Sequence, residues 1–448
     1  MSVAHAFFQS IICYFIFINV CYVVLLITSL ADIVSRCRKK IQHDTPAVTA
    51  LVPAYNEEKN IINAVESLLA SDYKNLKIIV INDGSQDNTA KLLIERYDLI
   101  VSEQAISSQI PMLAKINHYY ISEKNPHLVF IDKEHSGKSD SLNIGINACM
   151  SPLFVSIDGD TIIEPDAISS LVTSALRQPN TIATGGSVHV LNGCDYKNGQ
   201  LLQIKISFIP LVAMQICEYL RAMLFERADW NIFNGPLMLS GAITLFESKT
   251  VIAAGGYLHD SPGEDREIIF GLHEYMRQKQ SPCHIDFTIC AAAFTFVPMT
   301  IRRLWSQRIE WHQGLVDSLL RHTNMFFNPR FGATGMVTYP FLLLVEFLSP
   351  VIELISYIAI IAGIYFNIID WRFVLLFLLV TWGFSTLLTF ITIAISLFSF
   401  NKYKRVHDIF YLLISAIFEN IGYRQILVLC RVYATCKYFI NLHKGHIK

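Results

Sequence analysis

The sequence predicts an α/β domain with an open, mostly parallel, Rossmann-like sheet, joined to α-helical transmembrane segments. Three observations predict it. The 448 residues are 52% hydrophobic and only 16% charged, with a mean hydropathy of +0.40. That is too apolar for an ordinary soluble enzyme, and the length suits one domain plus membrane helices. Long apolar runs gather at the two ends of the chain. Between them, over residues 46–331, short β-branched runs alternate with amphipathic stretches, the pattern of strands and helices in an α/β domain.

Residues 6–30 are apolar for roughly the twenty positions a bilayer requires, interrupted only by Gln9 and Asn19, and predict a membrane helix. Its basic residues, Arg36, Arg38, Lys39 and Lys40, follow the apolar core instead of preceding it. This argues against a secretory signal and, by the positive-inside rule, puts the following domain in the cytoplasm. Three segments result: 1–45, a transmembrane helix and basic linker; 46–331, a cytosolic domain; 332–448, transmembrane and interfacial helices. In the last, residues 371–400 carry no charge after Arg372 and end at Lys402, Lys404 and Arg405, the clearest span. Residues 339–366 contain Glu346, Pro350 and Glu353. Either they span, with the carboxylates lining a channel, or they form an amphipathic helix at the interface. Residues 409–440, broken by Glu419, Asn420, Arg424, Arg431 and Lys437, leave the number of crossings open.

The net charge of -1 offers no field for nucleic acid. Ten cysteines form no CxxC pair and no metal-ligand spacing, and read as reduced thiols of a cytosolic compartment.

Within the α/β stretch, residues 47–52, 76–82, 128–131 and 153–157 are runs of strand length. Ile61, Val65, Leu68 and Leu69 mark one face of a helix expected to begin near Asn56. Ligands of an open parallel sheet bind beyond the carboxyl ends of its strands, which directs attention to Tyr55, Asp83, Lys138 and Asp158. Asp158-Gly159-Asp160 puts two carboxylates on a tight turn. Such a pair can hold Mg²⁺ or Mn²⁺ against the diphosphate of a nucleotide-sugar, although paired aspartates also occur in plain surface turns. Asp83, in Ile81-Asn82-Asp83-Gly84-Ser85, either accepts hydrogen bonds from a base or ribose or makes an Asx turn. Pro53-Ala54-Tyr55-Asn56-Glu57 supplies an aromatic and a carboxylate, and would equally start a helix. His135-Ser136-Gly137-Lys138-Ser139-Asp140 lacks the first glycine of a phosphate-binding loop, which argues against a nucleoside-triphosphatase. Lys138 is left as a point charge for a diphosphate, or as a surface lysine. Further on come the acid pair of Gly263-Glu264-Asp265 and the aromatic of Gln307-Arg308-Ile309-Glu310-Trp311.

Taken in order, Pro53-Ala54-Tyr55-Asn56-Glu57, Asn82-Asp83-Gly84-Ser85, Gly137-Lys138 with Leu142-Asn143, Asp158-Gly159-Asp160, Gln215 with Glu218-Tyr219, Ser240-Gly241-Ala242, Gly263-Glu264-Asp265 and Gln307-Arg308 with Trp311 form one series. The series resembles the membrane-bound family 2 glycosyltransferases, the group of cellulose, chitin, hyaluronan and poly-N-acetylglucosamine synthases. The resemblance implies a GT-A fold using a UDP-sugar. It assigns nucleotide-sugar binding to Ala54, Tyr55, Glu57, Asp83, Lys138 and Asp158, and a Mg²⁺ or Mn²⁺ site to Asp158 and Asp160. Asp265, beside Glu264, becomes the catalytic base. Ser240, Gly241, Gln307, Arg308 and Trp311 become acceptor residues, the indole face packing on a sugar ring; alone, Trp311 would read as an interface-belt tryptophan. A single in-line displacement needs a base and a stabilised leaving group but no covalent nucleophile, and it turns an α-linked donor into a β-linkage.

The pattern has departures. Glu310 stands where an arginine usually precedes the tryptophan, leaving Arg308 to carry that role; Gly263 replaces a common threonine, and Arg266 follows the base. The resemblance implies a processive or semi-processive enzyme of the plasma or inner membrane that extends a glycan acceptor and feeds an exopolysaccharide outward. Its implied partners are membrane lipid and an accessory export or regulatory protein, because no regulatory domain is expected after the membrane segments. Two other expectations are single-step transfer of a sugar to a lipid acceptor, and a silent scaffold of a synthase complex, the latter motivated by Glu310.

Overall fold

The computed structural model describes residues 3–36, 45–223, 227–233, 235–399, 402–403 and 405–444. Arg38, Lys39, Lys40, Phe400 and Lys404, expected to flank membrane helices, lie outside the described residues. The chain forms two compact units. One gathers Met1–Cys37, Ile206–Phe233 and Val297–Lys448, the other Arg38–Lys205 and Asn234–Phe296. Residues 206–233 and 297–331 therefore share a unit with the apolar helices.

The second unit contains β1 (Val48–Ala54), β2 (Leu76–Asp83), β3 (Leu99–Ser102), β4 (Ile116–Ser122), β5 (Leu128–Lys133), β6 (Leu153–Ser156), β7 (Ile162–Ile163), β8 (Thr181–Val190), β9 (Asp195–Lys197), β10 (Gln200–Gln203), β11 (Thr244–Glu247) and β12 (His284–Thr295). Ten strands make one sheet in the order β3-β4-β5-β2-β1-β6-β11-β8-β12-β7, and β9-β10 is a separate hairpin. Its centre, β5-β2-β1-β6, is parallel. β1 is buried along its whole length, as a central strand covered on both faces must be, and this is why its sequence is apolar but for Thr49 instead of alternating.

The four expected runs are β1, β2, β5 and β6, with ends shifted by a residue or two. The helix expected from Asn56 begins instead at Ile61. Asn56 adopts a left-handed φ of 56°, its N–H donates to Ser85 Oγ at 2.9 Å, and its Oδ1 accepts from Gln86 N–H at 2.8 Å. These bonds tie the end of β1 to the loop after β2 and keep residues 55–60 out of the helix.

In the first unit, Ala6–Thr28, Thr334–Tyr365 and Trp371–Leu397 are long and apolar enough to cross a membrane. The helices Val406–Phe418 and Tyr423–His443 are bent by 56° at their junction and count as a fourth span only if taken together. The break falls at Glu419–Gly422, where Gly422 takes a φ of 88°. This is a membrane protein. Phe8, Ile11 and Phe15 of the amino-terminal helix pack with Ile360 and Phe377 of later helices. Phe8 meets Phe373, and Phe15 meets Phe377, edge to face. Two ion pairs lie inside this unit: Arg424 Nε and Nη2 are 2.6 and 3.1 Å from the two oxygens of Glu353, and Arg221 pairs with Glu419. A cavity of about 220 Å³ is lined by Glu353, Glu419, Arg221, Arg424 and Arg431 among others. Glu346, expected to line a channel with Glu353, is absent from that lining.

Candidate active site

In the sheet unit the parallel strands end beside one another, and their following loops assemble a charged centre. Asp158 and Asp160 follow β6. A Cβ on Gly159 would come 3.0 Å from Pro53 O and 3.4 Å from Glu57 Cγ, so this turn lies directly on the end of β1. Ala54 closes β1 and is 2% exposed. Glu57 thereby joins the two aspartates. Burial, then the charges of Asp158 and Glu57, push Asp160 up to about 7, although Thr295 Oγ1 donates to it at 3.1 Å. Burial likewise raises Glu57.

Among the described residues no group of three or more His, Cys, Asp or Glu side chains is arranged to hold a metal. A divalent cation here would be held by Asp158 and Asp160 together with phosphate oxygens. Two carboxylates plus substrate phosphates is a normal ligand set for Mg²⁺, and the excess negative charge that raises Asp160 fits a cation.

Asp83 ends β2, and its carboxylate is fully engaged. Oδ1 accepts from Ser136 N–H at 2.9 Å and from Lys133 Nζ, while Oδ2 accepts from Gly137 N–H at 2.9 Å and lies 2.9 Å from His135 Nδ1. Four partners match the four lone-pair sites of a carboxylate. Asp83 thus shapes the loop 134–137 that delivers Lys138. Lys133 is fully buried between Asp83 and Asp140. Tyr55, 42% exposed, stacks on His135 with ring centroids 4.4 Å apart.

Lys138 is the hub. It opens the helix Lys138–Ala148, and its Nζ lies 2.8 Å from Asp158 Oδ1, 3.1 Å from Glu264 Oε1 and 3.2 Å from Asp265 Oδ2. Burial opposes the charge on this amine, but Asp158, Asp265 and Glu264 outweigh it and hold Lys138 well above its usual range. Glu264 and Asp265 occupy the first turn of the helix Glu264–Gln278, where the helix dipole favours carboxylates. Burial nonetheless pushes Asp265 up to about 7, against the pull of Lys138. Gly241 backs the acid: a Cβ there would overlap the Asp265 carboxylate, which holds its present place only beside a glycine. Ser240, next to it, accepts at its carbonyl from Thr244 Oγ1 at 2.8 Å.

Gln307, Arg308 and Trp311 lie in the membrane-helix unit, on the helix Ile301–Arg321, whose Thr300 cap accepts from Arg303 N–H at 3.4 Å. Arg308 is 3% exposed. Its Nη2 donates to Glu218 Oε2 at 2.8 Å, and Tyr423 Oη donates to the same oxygen at 2.5 Å. Burial works against the Glu218 charge, but Arg308 outweighs it and keeps the carboxyl below its usual value. The guanidinium lies 4.1 Å from the centroid of Trp311, whose indole is 43% exposed. The Gln307 side-chain carbonyl is buried without a hydrogen-bond partner. Glu310 is exposed.

Sequence reasoning gave no role to Lys133, Asp140 or Tyr257, although all three are buried in this centre. For Lys133 a signal existed, since a lysine closing the strand Leu-Val-Phe-Ile-Asp-Lys has no solvent beside it and needs a carboxylate.

The chain carries matches to two family models of glycosyltransferases. Residues 49–105 match the family model described as Glycosyl transferase family 2, and residues 121–274 match Glycosyltransferase like family 2. The chain is similar to the poly-beta-1,6-N-acetyl-D-glucosamine synthase of Staphylococcus aureus (strain COL), 28% identical over 276 residues, or 61% of this chain and 56% of that protein. The synthase of the same description from Staphylococcus epidermidis is 26% identical over 284 residues, 63% of this chain and 58% of that protein. The match thus spans little more than half the length of these relatives. Among solved structures, the mannosyltransferase PcManGT from Pyrobaculum calidifontis, in complex with GDP-Man and Mn2+, shares the fold with a TM-score of 0.54 at 16% identity, covering 93% of this chain and 99% of that one.

Proposed function

We propose that this protein is an inverting β-glycosyltransferase that moves a hexosyl or N-acetylhexosaminyl group from a UDP-sugar onto a growing polysaccharide, with its sheet unit on the cytoplasmic side of the plasma or inner membrane. The observation that carries the reading is the set of contacts around Lys138, 2.8 Å from Asp158 and 3.2 Å from Asp265. One side chain spans the groups proposed for the two ends of the displacement. As the acceptor oxygen attacks the anomeric carbon, its proton passes to Asp265. The bond from that carbon to the diphosphate breaks, and its electron pair leaves on UDP. Asp158 and Asp160 would hold Mg²⁺ or Mn²⁺, which supplies positive charge to the departing diphosphate. Lys138 adds a further charge there.

Ala54, Tyr55 and Glu57 frame the nucleotide, with Tyr55 offering its ring face to the base. Asp83 serves it by holding the loop 134–137 in shape. For the acceptor, Ser240 and Gly241 lie beside the base, and Trp311 offers an indole face on the helix that also carries Gln307. Arg308, bonded to Glu218 and set against the indole, fixes the orientation of Trp311. The polar cavity among the membrane helices supports outward passage of the glycan, aided by lipid and an accessory export protein.

The test is UDP release by the protein in lipid across a panel of UDP-sugars with Mg²⁺ or Mn²⁺, with the product sized. Turnover of one donor, a long product and loss of turnover in Asp265→Asn with UDP binding kept are the expected results. A product of one added sugar would replace polymerisation with transfer to a lipid acceptor. No turnover with any donor would leave a silent scaffold.

A further inference from the structure

The helix Lys138–Ala148 is buried along nearly its whole length, and three polar side chains on it, Asp140, Asn143 and Asn147, are 1% exposed or less. Each is spent on the backbone of a loop. Asp140 accepts from Leu113 N–H at 2.7 Å and Ala114 N–H at 3.1 Å. Asn147 accepts from Gln109 and Ile110 N–H at 2.8 and 3.0 Å and donates to Ile110 O at 2.8 Å. These two hold the segment that joins β3 to β4. Asn143, between them, holds a different one.

The Asn143 amide grips a single residue twice: Oδ1 accepts from Tyr257 N–H at 2.8 Å, and Nδ2 donates to Tyr257 O at 2.9 Å. A primary amide used this way copies the pairing of a β-ladder and fixes both the distance and the rotation of the peptide it holds. The fit is tight, because a Cβ on Gly256 would lie 2.6 Å from Asn143 Oδ1, and Gly256 takes a φ of 77°. Tyr257 is itself 2% exposed, and its ring meets Phe246 of β11 edge to face, with centroids 6.3 Å apart. The chain then runs from Tyr257 to Glu264 and Asp265, while the same helix carries Lys138 at its start.

We propose that Asn143 is a positioning residue for the base: by clamping Tyr257 to the helix that carries Lys138, it sets where Asp265 stands relative to Lys138 and Asp158. This rests on the glycosyl-transfer reading of the site. Asn147 is the matched comparison, since it is equally buried, one turn away and bonded to a backbone in the same manner, but it holds residues 109–110 instead of the segment leading to the acid.

The experiment compares Asn143→Ser and Asn147→Ser in the full-length protein in lipid, using UDP release, donor KM, thermal unfolding and hydrogen exchange of residues 257–265. Asn143→Ser is expected to lower kcat about 10- to 100-fold with donor KM changed less than about threefold, and to speed exchange over 257–265. Asn147→Ser is expected to keep kcat within about threefold at a similar loss of Tm. Equal falls in kcat for the two variants at matched Tm, or unchanged exchange over 257–265 in Asn143→Ser, would overturn the positioning role. A wild-type protein that turns over no donor would overturn the transfer reading itself, a result distinct from an active wild type whose two variants behave alike.

Discussion

A Cβ at position 241 would occupy the space of the Asp265 carboxylate, so Gly241→Ala must push the acid away from its present contact with Lys138. Displacing a reacting group by about 1 Å typically costs around 10²-fold in rate. Gly241→Ala is therefore expected to lower kcat by about that factor, with UDP affinity nearly unchanged because none of the nucleotide residues moves; calorimetric UDP titration beside a turnover assay checks it. With Asp265 as the proposed base, the same acid sets a pH dependence. Burial raises Asp265 to about 7, with Lys138 acting the other way, and a base works only when deprotonated. Turnover should rise with pH, stand near half its plateau around pH 7, and fall about tenfold per unit below that. Asp160 also sits at about 7, but a bound divalent cation favours its ionised form. Profiles taken at saturating Mg²⁺ or Mn²⁺ should then report Asp265.

At the scale of elements, the parallel centre of the sheet was legible because β1, β2, β5 and β6 are mostly buried and read as largely apolar runs of strand length. β8 and β12 were not. β8 carries Gly185 and Gly186, residues that ordinarily weaken a strand, yet a Cβ on Gly185 would meet Leu239 at 2.7 Å and one on Gly186 would meet Ala291 O at 2.8 Å. Close packing overrides propensity there, and no local pattern encodes it. The site divides in the same way. The acids and Lys138 could be named because each follows a strand or opens a helix, whereas the use of the Asp83 carboxylate depends on a loop beginning fifty residues later. That loop yields a prediction about β5. Lys133 is fully buried, and Lys133→Met strands Asp83 and Asp140 without their cation. Removing one partner of a buried charge group costs about 3–5 kcal/mol, so a clear fall in Tm is expected, with Lys138 misplaced and UDP affinity reduced. An unchanged Tm would show that the loop does not depend on this lysine.

For the molecule as a whole, the question is whether the membrane helices only anchor the sheet unit or carry a polar path of their own. An anchor gains nothing from charges inside apolar helices, which cost several kcal/mol each unless paired. Here Glu353, on a span, is 5% exposed and holds Arg424 through two hydrogen bonds of 2.6 and 3.1 Å, while Tyr357 donates to the same carboxylate. Both charges line the cavity of about 220 Å³, together with Glu419, whose Oε2 is buried without a partner. Breaking the pair and replacing it separate the two roles. Glu353→Gln leaves Arg424 without its counter-charge and should destabilise the protein by about 3 kcal/mol, read as a lowered Tm in lipid. The double change Glu353→Leu with Arg424→Met restores an apolar contact of similar size and should recover most of that stability. If these helices are an anchor, the double variant should also recover the wild-type product length and outward release from proteoliposomes. If the charges line the path of the glycan, Tm should return while released product stays low and UDP release, performed by the sheet unit, continues.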